Sequence, residues 1–166
     1  MIAAVVLAAG AATRFGSPKQ RLLLPLVVER VRAAAGVDDV VIVVGAHRVE
    51  TDERTITCPE WERGPGASLR CGLASLGDEA EAAVVVLADG PRLAPAAVDR
   101  VVAIWRREGG DVVAATYGGV RGHPVLLARP AWDAVPDAGA RSLPARLVAC
   151  DDLGAPGDVD VPDDLA

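Results

Sequence analysis

Four short apolar runs constrain most of what this 166-residue chain can become. Residues 2 to 7, 40 to 44, 83 to 87 and 112 to 115 consist of Val, Ala, Ile and Leu. Each ends in Gly, Ala or Asp, and a helical pattern follows most of them. An uninterrupted apolar run suits a strand buried on both faces, and strands alternating with helices imply crossover connections. The expected fold is therefore α/β: a three-layer, Rossmann-like, mostly parallel sheet with helices on both faces. Helices are expected at about 26 to 35, 67 to 77 and 95 to 108. The last begins at Pro95, spaces Val98, Val101, Val102 and Trp105 toward a core, and stops at Gly109-Gly110. From Tyr117 to Gly122 the rhythm breaks into a turn-rich loop that leads to a short strand, Pro124 to Leu127. This reads as a substrate-side insertion rather than another βαβ unit. With no repeat or low-complexity linker, residues 1 to 166 are read as one domain.

Charge is distributed unevenly. The first acidic residue is Glu29, so Arg14, Lys19 and Arg21 form a cationic island suited to an anion. Asp151, Asp152, Asp158, Asp160, Asp163 and Asp164 account for the net charge of -6, and the rest of the chain sums to zero. An acidic protein without a basic face is not expected to bind nucleic acid. No run is long enough to span a membrane and no secretory signal is recognised, which implies a cytoplasmic protein without a membrane partner. Cys58, Cys71 and Cys150 are widely spaced with no C-x-x-C, and are expected to be reduced structural thiols.

The loop after the first run concentrates the chemistry. Val6-Leu-Ala-Ala-Gly10 places small residues at the end of a buried strand, where a backbone can approach a ligand, and Arg14 and Lys19 follow. Gly10 and Gly16 have five residues between them, and Lys19 lies three beyond Gly16 past a proline, so this is not a Walker loop. The G-x-G-x-x-G of dinucleotide folds is absent too.

Leu7-Ala-Ala-Gly10, Arg14-Phe-Gly16, Lys19 and Leu23-Leu-Pro25 together resemble the opening of MobA/MocA-like nucleotidyltransferases, the molybdenum cofactor type. That resemblance implies a nucleotide-diphospho-sugar transferase-like fold. It assigns Leu7, Ala8, Ala9 and Gly10 to nucleotide binding, with Arg14 and Lys19 as catalytic cations on the phosphates. Gly64-Pro-Gly66-Ala-Ser68-Leu-Arg-Cys-Gly72-Leu is similar to the family segment lining the base, which adds Gly66 and Ser68. The alternative for Ser68 is a helix cap. Leu87-Ala-Asp89-Gly-Pro91 is similar to the family's metal-binding L-x-D-x-P element, with Gly90 where close relatives carry Gln. Asp158-Val-Asp160-Val-Pro162 resembles the family's final D-I-D-T-P and reads as a half-buried strand. Asp89 and Asp160 are thus the implied Mg2+ ligands, with Asp158 nearby. Gly90, His123 of Gly122-His-Pro-Val-Leu126, and Arg141 of Asp137-Ala-Gly-Ala-Arg141 fall on the acceptor side.

The resemblance covers nearly the whole chain and is closest to molybdenum cofactor cytidylyltransferases. It implies transfer of a nucleoside monophosphate from an NTP to a phosphorylated small acceptor, with pyrophosphate released. The acceptor implied is molybdopterin or the molybdenum cofactor, and a molybdoenzyme or its chaperone is the implied protein partner. Ala9, where guanylyl enzymes tend to have Gly, favours CTP, while GTP or another small-substrate reaction stays open. A weakly catalytic nucleotide-binding chaperone also stays open, because Gly90 departs from the pattern and the stretch from Pro25 to Val28 omits a short Gly-x-Pro linker.

Overall fold

In a computed structural model that describes residues 1–10 and 20–157, ten main elements follow one another. They are β1 (Ile2–Ala8), α1 (Gln20–Ala33), β2 (Asp39–Val44), β3 (Arg54–Thr57), α2 (Pro65–Ala74), β4 (Ala82–Leu87), α3 (Pro95–Glu108), β5 (Val112–Tyr117), β6 (Val120–Ala128) and β7 (Arg146–Ala149). The strands form one sheet in the order β3-β2-β1-β4-β6-β5-β7. All pairings are parallel except those of β6, which runs antiparallel to β4 and β5.

Strand alternation divides the apolar residues between two faces. Ile2, Ala4 and Val6 of β1 pack with Leu24, Val27 and Val31 of α1 and with Val98 and Val101 of α3. Ala3 and Val5 point to the opposite face, against Leu69 and Leu73 of α2 and Trp132. The result is helix, sheet, helix, as the apolar runs require. No described helix is long and apolar enough to cross a membrane.

Four details differ from expectation. α1 starts at Gln20 rather than near 26 and carries Pro25 inside it. Leu23, Leu24, Val27 and Val31 are all buried, and their helical spacing outweighs the one backbone hydrogen bond that a proline removes. The supposed loop at 117 to 122 is a hairpin, with Gly118 and Gly119 at positive φ and β6 already formed at Val120. β3 and β7 had no apolar signature because three residues of each are exposed. The expectation of three reduced cysteines is also corrected: Cys58 and Cys71 form a disulfide across a Cα separation of 5.8 Å, leaving buried Cys150 free. Cys58 follows the edge strand β3 and Cys71 lies on α2, so packing those two elements together brings distant sulfurs into contact. The strand expected around Asp158 and Asp160 lies outside the described residues.

Register places the working edge. Leu7 pairs with Leu87 and Ala8 with Val44, so β1, β2 and β4 end nearly level. The Ala88 N–H then donates to the Leu7 carbonyl at 3.0 Å, holding the two following loops side by side. The chain leaves β1 for β2 on one side, while β4 lies on the other. That reversal opens a crevice beyond the carboxyl ends of the strands.

Candidate active site

A cavity of about 350 Å³ occupies that crevice, bounded by Leu7, Ala8, Ala9, Gly10, Trp61, Glu62, Gly64, Pro65, Ser68, Leu87, Ala88 and Asp89. Six residues singled out from sequence for nucleotide binding or metal meet here: Leu7, Ala8, Ala9, Gly10, Ser68 and Asp89. Ser68 is 3% exposed, and its hydroxyl has no hydrogen-bond partner among the described residues. It does not cap α2, whose N-cap residue Gly64 lacks a side chain. A buried hydroxyl on a cavity wall is expected to find its partner in whatever fills the cavity. Asp89 supplies a carboxylate immediately beyond the end of β4.

Gly66 has a different surrounding. It is buried on α2 away from the cavity wall, and a Cβ there would lie 1.6 Å from the Pro136 carbonyl oxygen. Its N–H donates to the Asp137 carbonyl at 2.8 Å. Arg63 and Arg70 both pair with the Asp137 carboxylate, and Arg70 also donates to the Val135 carbonyl at 2.7 Å. The Arg70 hydrogen bond, then that of Arg63, holds Asp137 below the ordinary carboxylate range. Gly66 therefore lets the 135–139 turn seat on the start of α2, a role its motif does not reveal.

A second cavity of about 300 Å³ shares Leu7, Pro65 and Leu87 with the first and continues past Arg121, His123 and Arg141. A third, of about 410 Å³, brings Gly90, His123 and Arg141 together with Tyr117 and Pro156. These three sequence-chosen acceptor residues thus share one region. Burial pushes the His123 imidazole down to about 4, against the opposing pull of Asp89 and with help from Arg141 and Arg121. It is a neutral hydrogen-bonding group near pH 7. Its own carbonyl accepts a 2.6 Å hydrogen bond from the Tyr117 hydroxyl, which burial pushes up to about 12. Arg121 donates to the Leu143 carbonyl at 2.7 Å and the Ala140 carbonyl at 3.0 Å. It thereby braces the short 3-10 turn Ala140–Ser142 that carries Arg141.

Gly90 has a local cause. A Cβ there would stand 3.1 Å from Pro156 and 3.2 Å from the Gly157 carbonyl oxygen. The Arg92 N–H donates to the Pro156 carbonyl at 2.9 Å, seating this segment beside the Asp89 turn. A glutamine would have to displace it.

Arg14, Lys19, Asp158 and Asp160 lie outside the described residues. Among the described residues no cluster of three or more His, Cys, Asp or Glu could hold a metal. A magnesium-type site needs only one or two carboxylates, with phosphate oxygens and water completing the shell, so the donor type at Asp89 fits. Trp61 and Glu62 escaped the sequence reading. The available signal was their position just ahead of the segment that leads into Ser68.

The fold has counterparts of known structure. Rv0371c from Mycobacterium tuberculosis H37Rv is 28% identical, with a TM-score of 0.82 over 99% of this chain and 94% of that one. A structure of the same protein in complex with manganese aligns at 26% identity and a TM-score of 0.78, covering 99% of this chain and 95% of that one. Molybdopterin-guanine dinucleotide biosynthesis protein A from Archaeoglobus fulgidus shares the fold at 17% identity and a TM-score of 0.72, over 98% of this chain and 94% of that one. No curated protein sequence matches the chain significantly. Residues 4–150 match the family described as the MobA-like NTP transferase domain, and with them nearly all of the sheet and both cavity walls: the chain belongs to that family and is a nucleotidyltransferase.

Proposed function

We propose that this enzyme moves a nucleoside monophosphate from an NTP, CTP by preference, to the phosphate of a molybdopterin-type acceptor and releases pyrophosphate. The observation that carries the reading is the meeting of two cavities. One holds the Ala8-Ala9-Gly10 backbone, Ser68 and Asp89, and the other holds His123 and Arg141. They share Leu7 and Leu87, so a donor and an acceptor can touch end to end.

The chemistry asks little of the protein beyond alignment and neutralisation. A phosphate oxygen of the acceptor is already anionic and attacks the α-phosphorus. The bond from that phosphorus to the bridging oxygen breaks, and pyrophosphate leaves with its electrons. No general base is assigned. Arg14 and Lys19 hold the charge that moves onto pyrophosphate. Asp89 and Asp160 are the proposed ligands of Mg2+, which when bound neutralises the phosphates and fixes their line of attack. That Rv0371c has been obtained in complex with manganese supports a role for a divalent ion. His123, neutral, hydrogen-bonds the acceptor, and Arg141 pairs with its anionic part. Ala9 supports CTP, since its buried methyl takes up space that glycine would leave open. The product would pass to a molybdoenzyme or its chaperone.

A pyrophosphate-release screen of CTP, GTP, ATP and UTP against molybdopterin and simple phosphorylated acceptors tests the reading. CTP with the pterin is the expected pair, and turnover with GTP alone would overturn the inference from Ala9. Asp89→Ala and Lys19→Ala should each cut turnover by roughly 10² or more; near-normal release in either would sink the mechanism. Gly90 keeps a second reading in view, a nucleotide-binding chaperone. Such a protein would bind NTP yet release no pyrophosphate with any acceptor.

A further inference from the structure

The three tryptophans differ in how completely the fold uses them. Trp105 donates its indole N–H to the Gly110 carbonyl at 3.1 Å and has Arg106 over its ring. Trp132 donates to the Leu127 carbonyl at 3.0 Å and has Arg129 over its ring. Trp61 has neither: among the described residues its indole N–H has no acceptor and its ring no cation. It is half-buried, with part of its surface on the wall of the cavity that holds Ala9 and Ser68.

Its seat is nonetheless closely defined. A Cβ on Gly45, just past β2, would lie 2.5 Å from the indole and 2.8 Å from the Ala9 carbonyl oxygen. Only glycine at 45 lets the ring lie against the end of the sheet. The wall that carries Trp61 is tied at both ends, because the Cys58–Cys71 disulfide closes the segment around it and Arg63 binds Asp137. A large aromatic surface held in a defined seat is thus presented to a nucleotide-sized space, which lowers the ordering cost of binding.

From this juxtaposition we infer that Trp61 is the platform on which the donor's base stacks, a binding residue that positions the α-phosphate. The inference rests on the nucleotidyltransferase reading and adds to it the group that grips the base end. Every base has a π-face, so stacking sets affinity for nucleotide over bare polyphosphate rather than choice among bases. The indole N–H is left to meet an acceptor atom of the nucleotide.

Titration of the full-length protein with CTP and, separately, with inorganic tripolyphosphate, both with Mg2+, tests the assignment. CTP should quench the tryptophan emission of the native protein, and Trp61→Phe should remove that signal while retaining affinity. Trp61→Leu should weaken CTP roughly 5- to 150-fold, the range of base–aromatic stacking, and leave tripolyphosphate unchanged. Thermal melts establish that each variant is folded. Native-like CTP affinity in folded Trp61→Leu would overturn the inference, as would equal loss of CTP and tripolyphosphate, which marks a merely structural wall. If CTP quenches native protein and Trp61→Phe alike, the platform is elsewhere. If native protein binds neither ligand, the donor site itself is wrong and the platform falls with it.

Discussion

Reducing the Cys58–Cys71 bond should cost the protein a measurable part of its stability. The two residues are 13 apart, and a cross-link of that span removes conformational entropy from the unfolded chain. For a closed loop of this size the chain-entropy relation gives about 3 kcal/mol at 25 °C. For a chain of this length, each kcal/mol shifts the melting midpoint by about 2–4 °C, so reduction should lower it by roughly 6–12 °C. Thermal melts followed by circular dichroism, with and without a phosphine reductant, measure the shift. Cys58→Ser/Cys71→Ser should melt like the reduced protein and ignore reductant, whereas Cys150→Ser should keep the full response. A thiol titration in denaturant without reductant should find one thiol, that of Cys150. Three thiols would refute the cross-link. One thiol with no change on complete reduction would refute the entropic argument.

Other perturbations address the acceptor wall and the turn beneath it. Arg121→Ala removes both hydrogen bonds to the Arg141 turn, so KM for the acceptor should rise about tenfold while KM for the nucleotide holds; steady-state kinetics with each substrate varied separates the two. The His123 imidazole is held at about 4, below its ordinary value of 6.5, so the folded state binds fewer protons than the unfolded between those values. Its contribution is fully present above pH 6.5 and is lost as pH falls toward 4, by at most roughly 3 kcal/mol. Urea titrations from pH 4 to 7 should show that slope, and His123→Asn should flatten it. Gly66→Ala forces a methyl against the Pro136 carbonyl and should destabilise by roughly 3 kcal/mol, read as a lower urea midpoint.

The central strands and α3 were legible because burial on both faces writes a local, uninterrupted signal. The run at 83 to 87 became β4 within one residue, and 95 to 108 became α3 with the same bounds. What escaped depends on distant partners. β3 and β7 are short, largely exposed edges held by backbone pairing, which leaves no apolar pattern to read. The hairpin at Gly118-Gly119 looked like a loop because glycine pairs punctuate both. The disulfide, the Pro136 contact that needs Gly66, and the Pro156 contact that explains Gly90 each join residues far apart in the chain. Asp89 and Ser68 stood out in motifs; Trp61 did not, because its role depends on a glycine sixteen positions earlier.

The antiparallel course of β6 has an implication for how such enzymes diversify. Val125 pairs with Val85 and Ala128 with Ala82, so the beginning of β6, rather than its end, reaches the working edge of the sheet. Arg121 and His123 ride on a hairpin arm, and the small residues of the donor cavity extend from β1, which runs the other way. Drift along the hairpin can therefore remodel one side of the crevice while the opposite side keeps its backbone. On the proposed assignment, the sheet therefore separates the part that holds the nucleotide from the part that selects its recipient.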